Sequence, residues 1–342
     1  MPTPRLLTVI LNYRTAAMTL RSLAAARIAM EGITGEIVVV DNASGDGSFE
    51  TMRDHVAAQG WTDVRVLASA VNGGFGAGNN FGFLAGLSDG STPDYVYALN
   101  SDAFPEADAI RALLSHMQAH PKTGFAGSHI IGEDGETHLT NFRFPSIASE
   151  FEGALRFGPI SRLLAHKRVP VETPTVTGPV EWTAGASLMM RVDMLQEIAL
   201  FDESFFLYFE ETDLCLRGAR AGYTCDFVRE SRVTHIGSVS TGMGRWQETP
   251  GYWFDSRLHY FTKNHGVGTA VLATLAHIAG GVLHRLRQYA RGQKPADPPK
   301  FLRHMIRHAC TKLWQGRRAV RSPDFTPSAR GSAPAAISVP SE

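Results

Sequence analysis

Acidic and amide side chains stand directly after two short apolar runs of the chain, where buried strands would end. Asp41 follows the run at residues 37–40, whereas Asn100 and Asp102 follow the run at residues 95–99. A carboxylate in this position can accept a hydrogen bond from a nucleobase or a ribose hydroxyl, and it can bind a hard divalent cation. A turn held by the Asp side chain is the structural alternative. Each acid alone therefore leaves ligand binding and turn formation open.

A run rich in glycine and asparagine covers residues 72–80 and follows a third apolar run at residues 64–67. Glycines let the backbone approach a ligand closely, and the N-terminus of a following helix favours phosphate. The run therefore predicts a turn that opens a helix and holds phosphate, with an ordinary glycine turn as the alternative. The spacing Gly74-x-Gly76-x-Gly78 differs from the dinucleotide fingerprint, which follows the first strand. This difference argues against a dehydrogenase.

An aromatic run followed by several acids occupies residues 205–217. Glu210 and Glu211 are predicted near a helix N-terminus, where the macrodipole favours the charged carboxylate that a general base requires. A helix that merely carries acids in its first turn is the alternative. Asp213 and Arg217 have the i,i+4 spacing of a structural salt bridge. The phenylalanines are more typical of a core than of a sugar-binding platform.

Three basic side chains further along the chain are weaker candidates. His235 follows a strand predicted from residue 225, and it could complete a metal site or contact a diphosphate. The chain contains 13 His, so a hydrogen-bonded polar residue is the simpler interpretation. Arg257 and Lys263 could contact phosphate, or they could be ordinary surface charges.

Strands and helices must alternate to position these residues. Four apolar runs predict strands at residues 6–11, 37–40, 64–67 and 95–99. Helices are predicted between them, one over residues 48–58 with Ser48 as its N-cap. This order predicts an α/β fold with a mostly parallel sheet and helices on both faces. Ligands bind beyond the carboxyl ends of such strands, where the acids and the glycine-rich run would converge.

The second half of the chain has a less regular pattern. Residues 140–180 hold several prolines and predict a substrate-side loop region, and a helix is predicted over residues 207–221. Residues 266–283 are the most apolar stretch, and their 18 residues lie at the lower limit for a membrane-spanning helix. Their glycines and central His favour an interfacial or core-packed helix instead.

A net charge of zero conceals a strong asymmetry along the chain. Residues 1–283 contain 21 Lys and Arg against 30 Asp and Glu, whereas residues 284–321 contain 11 against one. A basic segment after an acidic body indicates an anionic partner, either a membrane face or a nucleic acid. Three cysteines without a C-x-x-C pair, and an N-terminal apolar run too short for a signal peptide, predict a cytoplasmic protein.

A series of motifs resembles the family 2 glycosyltransferases, and within them the bacterial rhamnosyltransferase-like group. The resemblance extends from about Thr8 to Lys263. Its motifs are, in chain order, residues 9–13, residues 39–46, residues 72–82, Asn100-Ser101-Asp102, residues 201–214, and His235 with Gly237 and Ser240. Each motif is weak alone, but their common order makes chance agreement improbable.

The resemblance implies a GT-A fold, an inverting mechanism and a divalent metal, Mg²⁺ or Mn²⁺. It implies a nucleotide-sugar donor and a glycan or lipid-linked glycan acceptor, with peripheral contact to the inner membrane face and no nucleic acid. Glu211 would be the catalytic base, with Glu210 beside it, and Asp102 and His235 would hold the metal. The implied donor-binding residues are Asn12, Asp41, Asn42, Asn72, Gly74, Asn80, Asn100 and Asp102.

Two departures from the family pattern affect these roles. Asn100 replaces the first acid of the D-x-D motif, which leaves Asp102 as the main carboxylate ligand. The usual E-D pair is Glu210-Glu211, so the base is Glu and reaches one methylene further. The implied domains are a GT-A catalytic domain at 1–250, a basic helical extension at 251–318 and a disordered tail at 319–342.

Other classes of protein remain as alternatives. A nucleotidyltransferase uses a similar sheet and metal, but it usually carries a basic glycine-rich loop after the first strand, and residues 12–15 contain no glycine. A non-catalytic nucleotide-sugar-binding protein would not need an acid at position 211. The acidic body opposes a nucleic-acid-binding module.

Overall fold

The first half of the chain alternates strands and helices as predicted. The computed structural model describes residues 3–237, 248–293, 298 and 300–315, so Ser240 and the tail predicted at 319–342 lie outside the described residues. The elements in order are β1 (Leu6–Asn12), α1 (Ala16–Ala29), β2 (Gly35–Asp41), α2 (Ser48–Ala58), β3 (Val64–Ala68), α3 (Gly74–Leu84), β4 (Tyr95–Asn100), β5 (Ala103–Pro105), α4 (Ala109–Ala119) and β6 (Thr123–Ile131).

The second half adds short strands, a return to the sheet and C-terminal helices. Its elements are β7 (Asn141–Phe142), α5 (Ile147–Leu155), α6 (Gly158–Leu163), β8 (Pro170–Val171), β9 (Gly178–Val180), β10 (Trp182–Thr183), β11 (Ser187–Arg191), α7 (Val192–Ile198), α8 (Glu210–Arg220), β12 (Thr224–His235), α9 (Gly251–Ala290) and α10 (Phe301–Gln315). The region predicted as a loop at 140–180 therefore contains two helices, which is a correction.

The main sheet has the order β3-β2-β1-β4-β11-β6-β12-β5, with β9 beside β12. The first four of these strands are parallel, and β11 runs antiparallel between β4 and β6. The strand order reverses at β1, because β2 lies on one side of it and β4 on the other. Asn12 pairs with Asp41, and Leu11 pairs with Asn100. Three predicted site residues thus end neighbouring strands at the switch point where such sheets bind ligands.

Both faces of the sheet are covered by helices, which explains the continuous apolar runs of its strands. Leu6 and Ile10 of β1 face a core formed with α1, α2 and α4. Leu7 and Val9 face the opposite core, formed with α3, α7 and α8. The alternation places successive residues of one strand in two separate cores.

Residues 74–80 of the glycine-rich run are helical, so the predicted turn is wrong for them, whereas the helix that it was predicted to open is confirmed. Gly74 to Leu84 form α3. A Cβ on Gly82 would lie 2.5 Å from Val9 Cγ1, which is closer than packed atoms allow. The glycines therefore let α3 lie directly on β1, and this close approach outweighs their poor helix propensity.

The helix predicted over residues 48–58 is confirmed, but its N-cap is Gly47, with φ of 83°, and Ser48 is its first helical residue. The helix predicted from residue 207 begins at Glu210, because Tyr208 and Phe209 have φ of 69° and 70°. Left-handed backbone cannot continue a right-handed helix.

Helix α9 consists of two helical parts joined at Gly266, which has non-helical φ and ψ of 84° and 162°. The first part shares a core with Phe205 and Leu216, and the second part packs along α5 and α10. Within the described residues, α9 is the one helix long and apolar enough to cross a membrane by length and composition. The predicted domain boundary at residue 250 falls at its N-terminus.

A buried ion cluster joins α5 to α9. Arg257 Nη2 lies 2.8 Å from Glu150 Oε2, and His277 Nδ1 lies 2.7 Å from the same oxygen. Burial raises the pKa of Glu150, but Arg257 and His277 outweigh burial and lower it to about 2. The carboxylate is therefore charged inside the helix pair and depends on both partners.

We expect Arg257→Met to destabilise the fold by about 3–5 kcal/mol, because it leaves a buried carboxylate without its main counter-charge. The double change Glu150→Gln with Arg257→Met should recover part of that loss, as measured by urea unfolding. Because the folded pKa of Glu150 is depressed, its stabilising effect is complete above the ordinary value of 4.5 and is lost as pH falls toward about 2. Equal stability of wild type and Arg257→Met would contradict the prediction.

Candidate active site

Asn12 and Asp41 form a fixed polar pair at the ends of β1 and β2. Asn12 Nδ2 donates to Asp41 Oδ1 at 2.7 Å, and Asn12 Oδ1 accepts from Thr19 Oγ1 at 2.7 Å. The backbone N–H and the hydroxyl of Ser44 also donate to Asp41. Asp41 therefore holds a turn, which was the structural alternative. Its position at the end of β2 is also the one that the ligand hypothesis required. An ionised carboxylate has about four acceptor sites, so Oδ2, with one protein donor, retains capacity for a ligand.

Asn42 connects this pair to the start of α3. Its Nδ2 donates to Asn72 Oδ1 and to the carbonyl of Gly74, both at 3.0 Å. Asn72 Oδ1 also accepts from the N–H of Gly74 at 3.0 Å. Asn42 Oδ1 is buried and has no hydrogen-bond partner among the described residues. Such an unsatisfied acceptor is typical of a position that a ligand completes.

Gly74 allows the start of α3 to touch the segment before α8. Its φ is 88°, and a Cβ would lie 1.7 Å from the carbonyl oxygen of Phe206. That oxygen accepts from the N–H of Phe75 at 3.0 Å. Only glycine satisfies both the positive φ and the close approach. Gly74 therefore fixes the chain ahead of the two glutamates.

Further along α3, Asn80 also joins this helix to the segment that precedes α8. Its Nδ2 donates to the Phe201 carbonyl and to Glu203 Oε1, both at 2.9 Å, and its Oδ1 accepts from the Phe201 N–H at 3.1 Å. The amide was predicted to bind donor, but the structure shows it engaged on both sides by the protein. Its contacts therefore join protein segments to each other.

Asp102, in the turn between β4 and β5, lies next to His235 at the end of β12, where His235 pairs with Ala103 of β5. His235 Nε2 lies 3.1 Å from Asp102 Oδ1 and 3.4 Å from Asn100 Nδ2. The 3.1 Å separation is that of a hydrogen bond, and a carboxylate and an imidazole are both groups that could hold a divalent cation. No cluster of three or more His, Cys, Asp or Glu occurs in the described ranges. The pair therefore suits a metal whose other ligands are phosphate and water.

Glu210 and Glu211 begin α8, and their carboxyl groups differ in surroundings. Burial raises the pKa of Glu210 well above its ordinary value, and the charge of Glu211 raises it further. Burial also raises the pKa of Glu211, but its own backbone N–H and that of Gly185 partly offset the rise. Glu211 is therefore the more easily ionised of the two. Oε2 of each has no hydrogen-bond partner among the described residues.

Residues 185 and 186 lie beside both the start of α8 and the end of β4. A Cβ on Gly185 would lie 4.0 Å from Glu211 Oε1, and the Gly185 N–H lowers the pKa of the Glu211 carboxyl. The carbonyl of Ala186 accepts from the N–H of Asn100 at 3.0 Å. Glu211 and the Asn100–Asp102 turn thus border the same two residues.

Lys263 and its partners hold α8, the helix that begins with Glu210 and Glu211. Lys263 Nζ lies 2.8 Å from both Asp202 Oδ2 and Asp213 Oδ2, and His259 Nε2 lies 2.9 Å from Asp202 Oδ2. Burial raises the pKa of Asp202, but His259 and Lys263 outweigh it and hold that pKa well below its usual range. The predicted Asp213–Arg217 salt bridge is confirmed at 2.9 Å.

Arg257 and Lys263 were considered as phosphate contacts, and the structure contradicts this hypothesis for both. Each is paired with a buried carboxylate of the protein. The structural partners Asp202 and His259 were missed by sequence reasoning. The i,i+4 spacing of His259 and Lys263 on α9 was a signal, since it places both on one helix face.

Comparisons with known proteins agree with this geometry. The family model described as Glycosyl transferase family 2 matches residues 8–178, and that described as Glycosyl transferase family group 2 matches residues 95–319. An N-acetylglucosaminyl-diphospho-decaprenol L-rhamnosyltransferase of Mycobacterium tuberculosis is 29% identical over 216 residues, which cover 60% of this chain and 68% of the relative. Rhamnosyltransferase WbbL of Escherichia coli is 24% identical over 166 residues, 47% of this chain and 60% of WbbL.

Solved structures share the fold at low sequence identity. A mannosyltransferase from Pyrobaculum calidifontis, in complex with GDP-Man and Mn²⁺, has a TM-score of 0.56 at 14% identity. The alignment covers 92% of this chain and 88% of the mannosyltransferase chain. GalNAc-T7 with UDP, GalNAc and Mn²⁺ has a TM-score of 0.53 at 13% identity, and the alignment covers 90% of this chain and 55% of the GalNAc-T7 chain. The predicted GT-A fold is thereby confirmed, and the nucleotidyltransferase and non-catalytic alternatives are not favoured. Since the matched models span at least half of its residues, this chain belongs to glycosyl transferase family 2.

Proposed function

We propose that this glycosyltransferase is inverting and metal-dependent, and that it moves rhamnose from a nucleotide-diphosphate donor to a lipid-linked glycan. The observation that supports it most is the convergence at residues 185–186. A carboxylate able to accept a proton, Glu211, borders the same segment as the Asp102–His235 pair. A base and a diphosphate-binding group on one edge of the sheet are what a single displacement needs.

The nucleoside lies at the ends of β1 and β2. Asp41, with its free acceptor capacity, takes a base or ribose donor, while Asn12 and Ser44 keep the carboxylate oriented. Asn42 and Asn72 form the adjoining wall, and the unpaired Asn42 Oδ1 accepts from the ligand. These side chains are already hydrogen-bonded to one another, so little reorganisation is needed on binding.

The diphosphate lies over the Asp102 turn. Asp102 and His235 would hold a divalent cation, with Asn100 beside them, and such a cation neutralises the charge that develops on the leaving diphosphate. Asn100 has no carboxylate to contribute, so Asp102 is the principal anionic ligand. Mn²⁺ suits a carboxylate and an imidazole together, and both solved structures named above contain it.

Glu211 removes the proton from the attacking acceptor hydroxyl. Its carboxylate has one oxygen without a hydrogen-bond partner among the described residues, and the Gly185 N–H favours its ionised form. Glu210 is more strongly driven to the neutral form, so it supplies bulk and a hydrogen-bond donor beside the base. Attack from the face opposite the nucleotide inverts the anomeric carbon.

The donor sugar and the acceptor follow from the relatives. Two of them are named as rhamnosyltransferases, and the name of one includes a decaprenol-linked acceptor. We infer a similar acceptor here, which would bring the enzyme to the cytoplasmic face of a membrane. The acidic body of the chain continues to oppose nucleic acid as a partner.

A donor panel tests this function. Each nucleotide sugar, including dTDP-rhamnose, is incubated with the full chain and Mn²⁺ or Mg²⁺, with and without a short-chain analogue of N-acetylglucosaminyl diphosphate lipid. Metal-dependent release of nucleotide diphosphate from dTDP-rhamnose, stimulated by the acceptor, is expected. Turnover of a different donor would overturn the rhamnosyl assignment while leaving glycosyl transfer intact.

Glu211→Gln should reduce kcat by about 10²–10⁴-fold, because general-base assistance is lost while donor binding is kept. Glu210→Gln is the matched control and should cost no more than about tenfold, since a protonated Glu and a Gln are similar neutral groups. Steady-state kinetics and donor calorimetry measure both. Full activity of Glu211→Gln, or the opposite ranking, would reassign the base.

The pH dependence of kcat follows from the same carboxylate. Burial raises the pKa of Glu211 above the ordinary value of 4.5, and only the ionised form accepts a proton. Activity should therefore fall as pH drops through this raised pKa, at a pH higher than for an exposed Glu. An acid limb at or below 4.5 in the wild-type pH–rate profile would contradict this assignment.

Asp102→Asn should raise the Mn²⁺ concentration needed for half-maximal activity by at least about tenfold, because the anionic ligand is lost. His138→Ala is the control, since the His138 ring centroid lies 6.4 Å from that of His235 but His138 is not an assigned ligand. Activity titrations and Mn²⁺ binding followed by electron paramagnetic resonance give two readouts. Unchanged Mn²⁺ binding in Asp102→Asn would remove Asp102 from the metal site.

A further inference from the structure

The second part of α9 has its large apolar side chains outside and its small side chains inside. Its buried face is formed by small or polar residues: Ala270, Ala273, Thr274, Gly280, Gly281 and His284. Its exposed face carries a stripe of larger residues spaced three, four or seven apart: Leu272, Leu275, Val282, Leu286 and Tyr289, which are 44–87% exposed. A surface helix of a water-soluble protein normally has the opposite arrangement.

The buried face of this helix is held by close contacts and polar bonds. A Cβ on Gly280 would lie 2.6 Å from the Phe151 carbonyl oxygen, so the helix backbone lies directly against α5. His277 contacts Glu150, and Arg287 Nη2 donates to the carbonyls of Leu155 and Arg156. The outward direction of the apolar stripe is therefore fixed by its neighbours.

Helix α6 extends the same apolar surface. Phe157 and Leu163 are exposed beside it. An apolar groove of about 320 Å³ lies between α5, α6 and α9, lined by Phe151, Leu155, Phe157, Ile160, Leu283 and Arg287. Two elements far apart in sequence thus contribute to one outward-facing apolar surface, which we call the α6–α9 face.

The exposed charges around the α6–α9 face are mostly basic, because Glu150 and Glu152 of α5 are paired with Arg257 and Arg168. Residues 153–171 and residues 256–293 contain no Asp or Glu. The exposed or half-buried basic residues of these two ranges near α6 and the end of α9 are Arg156, Arg162, Lys167, Arg168, Arg285, Arg287 and Arg291. An apolar surface bordered by Arg and Lys is complementary to an anionic bilayer, where apolar groups enter the acyl region and cations contact headgroups.

We propose that the α6–α9 face docks on the surface of an anionic phospholipid bilayer, with the second part of α9 lying in the interface plane. This inference deepens the proposed function, because a lipid-linked acceptor would be presented at that surface. The stripe from Leu272 to Tyr289 is about 25 Å long at ~1.5 Å per residue. Because α5 and α10 cover its inner side, α9 meets lipid along one face and does not span the bilayer.

Vesicle sedimentation of the full chain tests the proposal. Vesicles of equal parts phosphatidylcholine and phosphatidylglycerol should retain the wild type, and phosphatidylcholine alone should retain at least about tenfold less. Leu275→Glu with Leu286→Glu should lower the partition coefficient by at least about tenfold. The matched control, Ile28→Glu with Val176→Glu, makes the same charge change at exposed apolar residues elsewhere and should bind as wild type. Circular dichroism verifies that each variant is folded.

Several outcomes would overturn the proposal. Equal binding of the two double variants, or binding that resists alkaline carbonate extraction, would exclude peripheral docking through this face. A wild-type dimer in lipid-free solution that Leu275→Glu with Leu286→Glu converts to monomer would instead identify a second copy as the occupant. The vesicle assay needs neither donor nor turnover, so a lack of vesicle binding would not contradict the proposed reaction. A protein that binds vesicles but transfers no sugar would contradict only the proposed reaction.

Discussion

The bridge from Lys263 to Asp202 and Asp213 is the interaction on which the arrangement of the active site depends. Both carboxylates are buried, and a buried charge is stable only when it is paired and hydrogen-bonded. Asp202 lies in the segment before α8, Asp213 lies within α8, and Lys263 comes from α9. One ammonium group therefore fixes the entry to α8, α8 itself and the C-terminal helix relative to one another.

Contacts on both sides explain how an unfavourable backbone can persist just before Glu210. Tyr208 and Phe209 both have φ near 70°, which costs each residue about 1–2 kcal/mol. The segment is held on one side by α3, through the Phe75–Phe206 hydrogen bond, and on the other by Ser256 Oγ, which donates to the Leu207 carbonyl at 3.0 Å. The left-handed pair turns the chain sharply, so that α8 starts at Glu210 with both glutamates in its first turn.

The sheet and several of the candidate site residues could be predicted from the sequence, because these depend on short-range patterns. Buried parallel strands show as continuous apolar runs, and polar residues at their ends mark the ligand edge, so Asn12, Asp41 and Asp102 were identifiable. The start of α8 and the helical conformation of the glycine-rich run could not be predicted from the sequence. Local propensity disfavours a left-handed Phe and a glycine-rich helix, and in both places a close tertiary contact decides the conformation. The roles of Asp202 and Lys263 escaped notice for a similar reason, since their pairing joins residues about sixty positions apart.

The two parts of α9 give one element two different tasks. Before Gly266, its polar side chains lock the base-bearing segment, and after Gly266 its apolar side chains face outward. Lys263 and Leu275 belong to the same element, on opposite sides of the bend at Gly266. If the outer face rests on lipid, α9 therefore sets the distance between the bilayer and the segment that carries Glu211. An acceptor must then present its hydroxyl at a matching height, so the spacing between membrane and base becomes part of acceptor selection, in addition to any contacts made by the sugar itself.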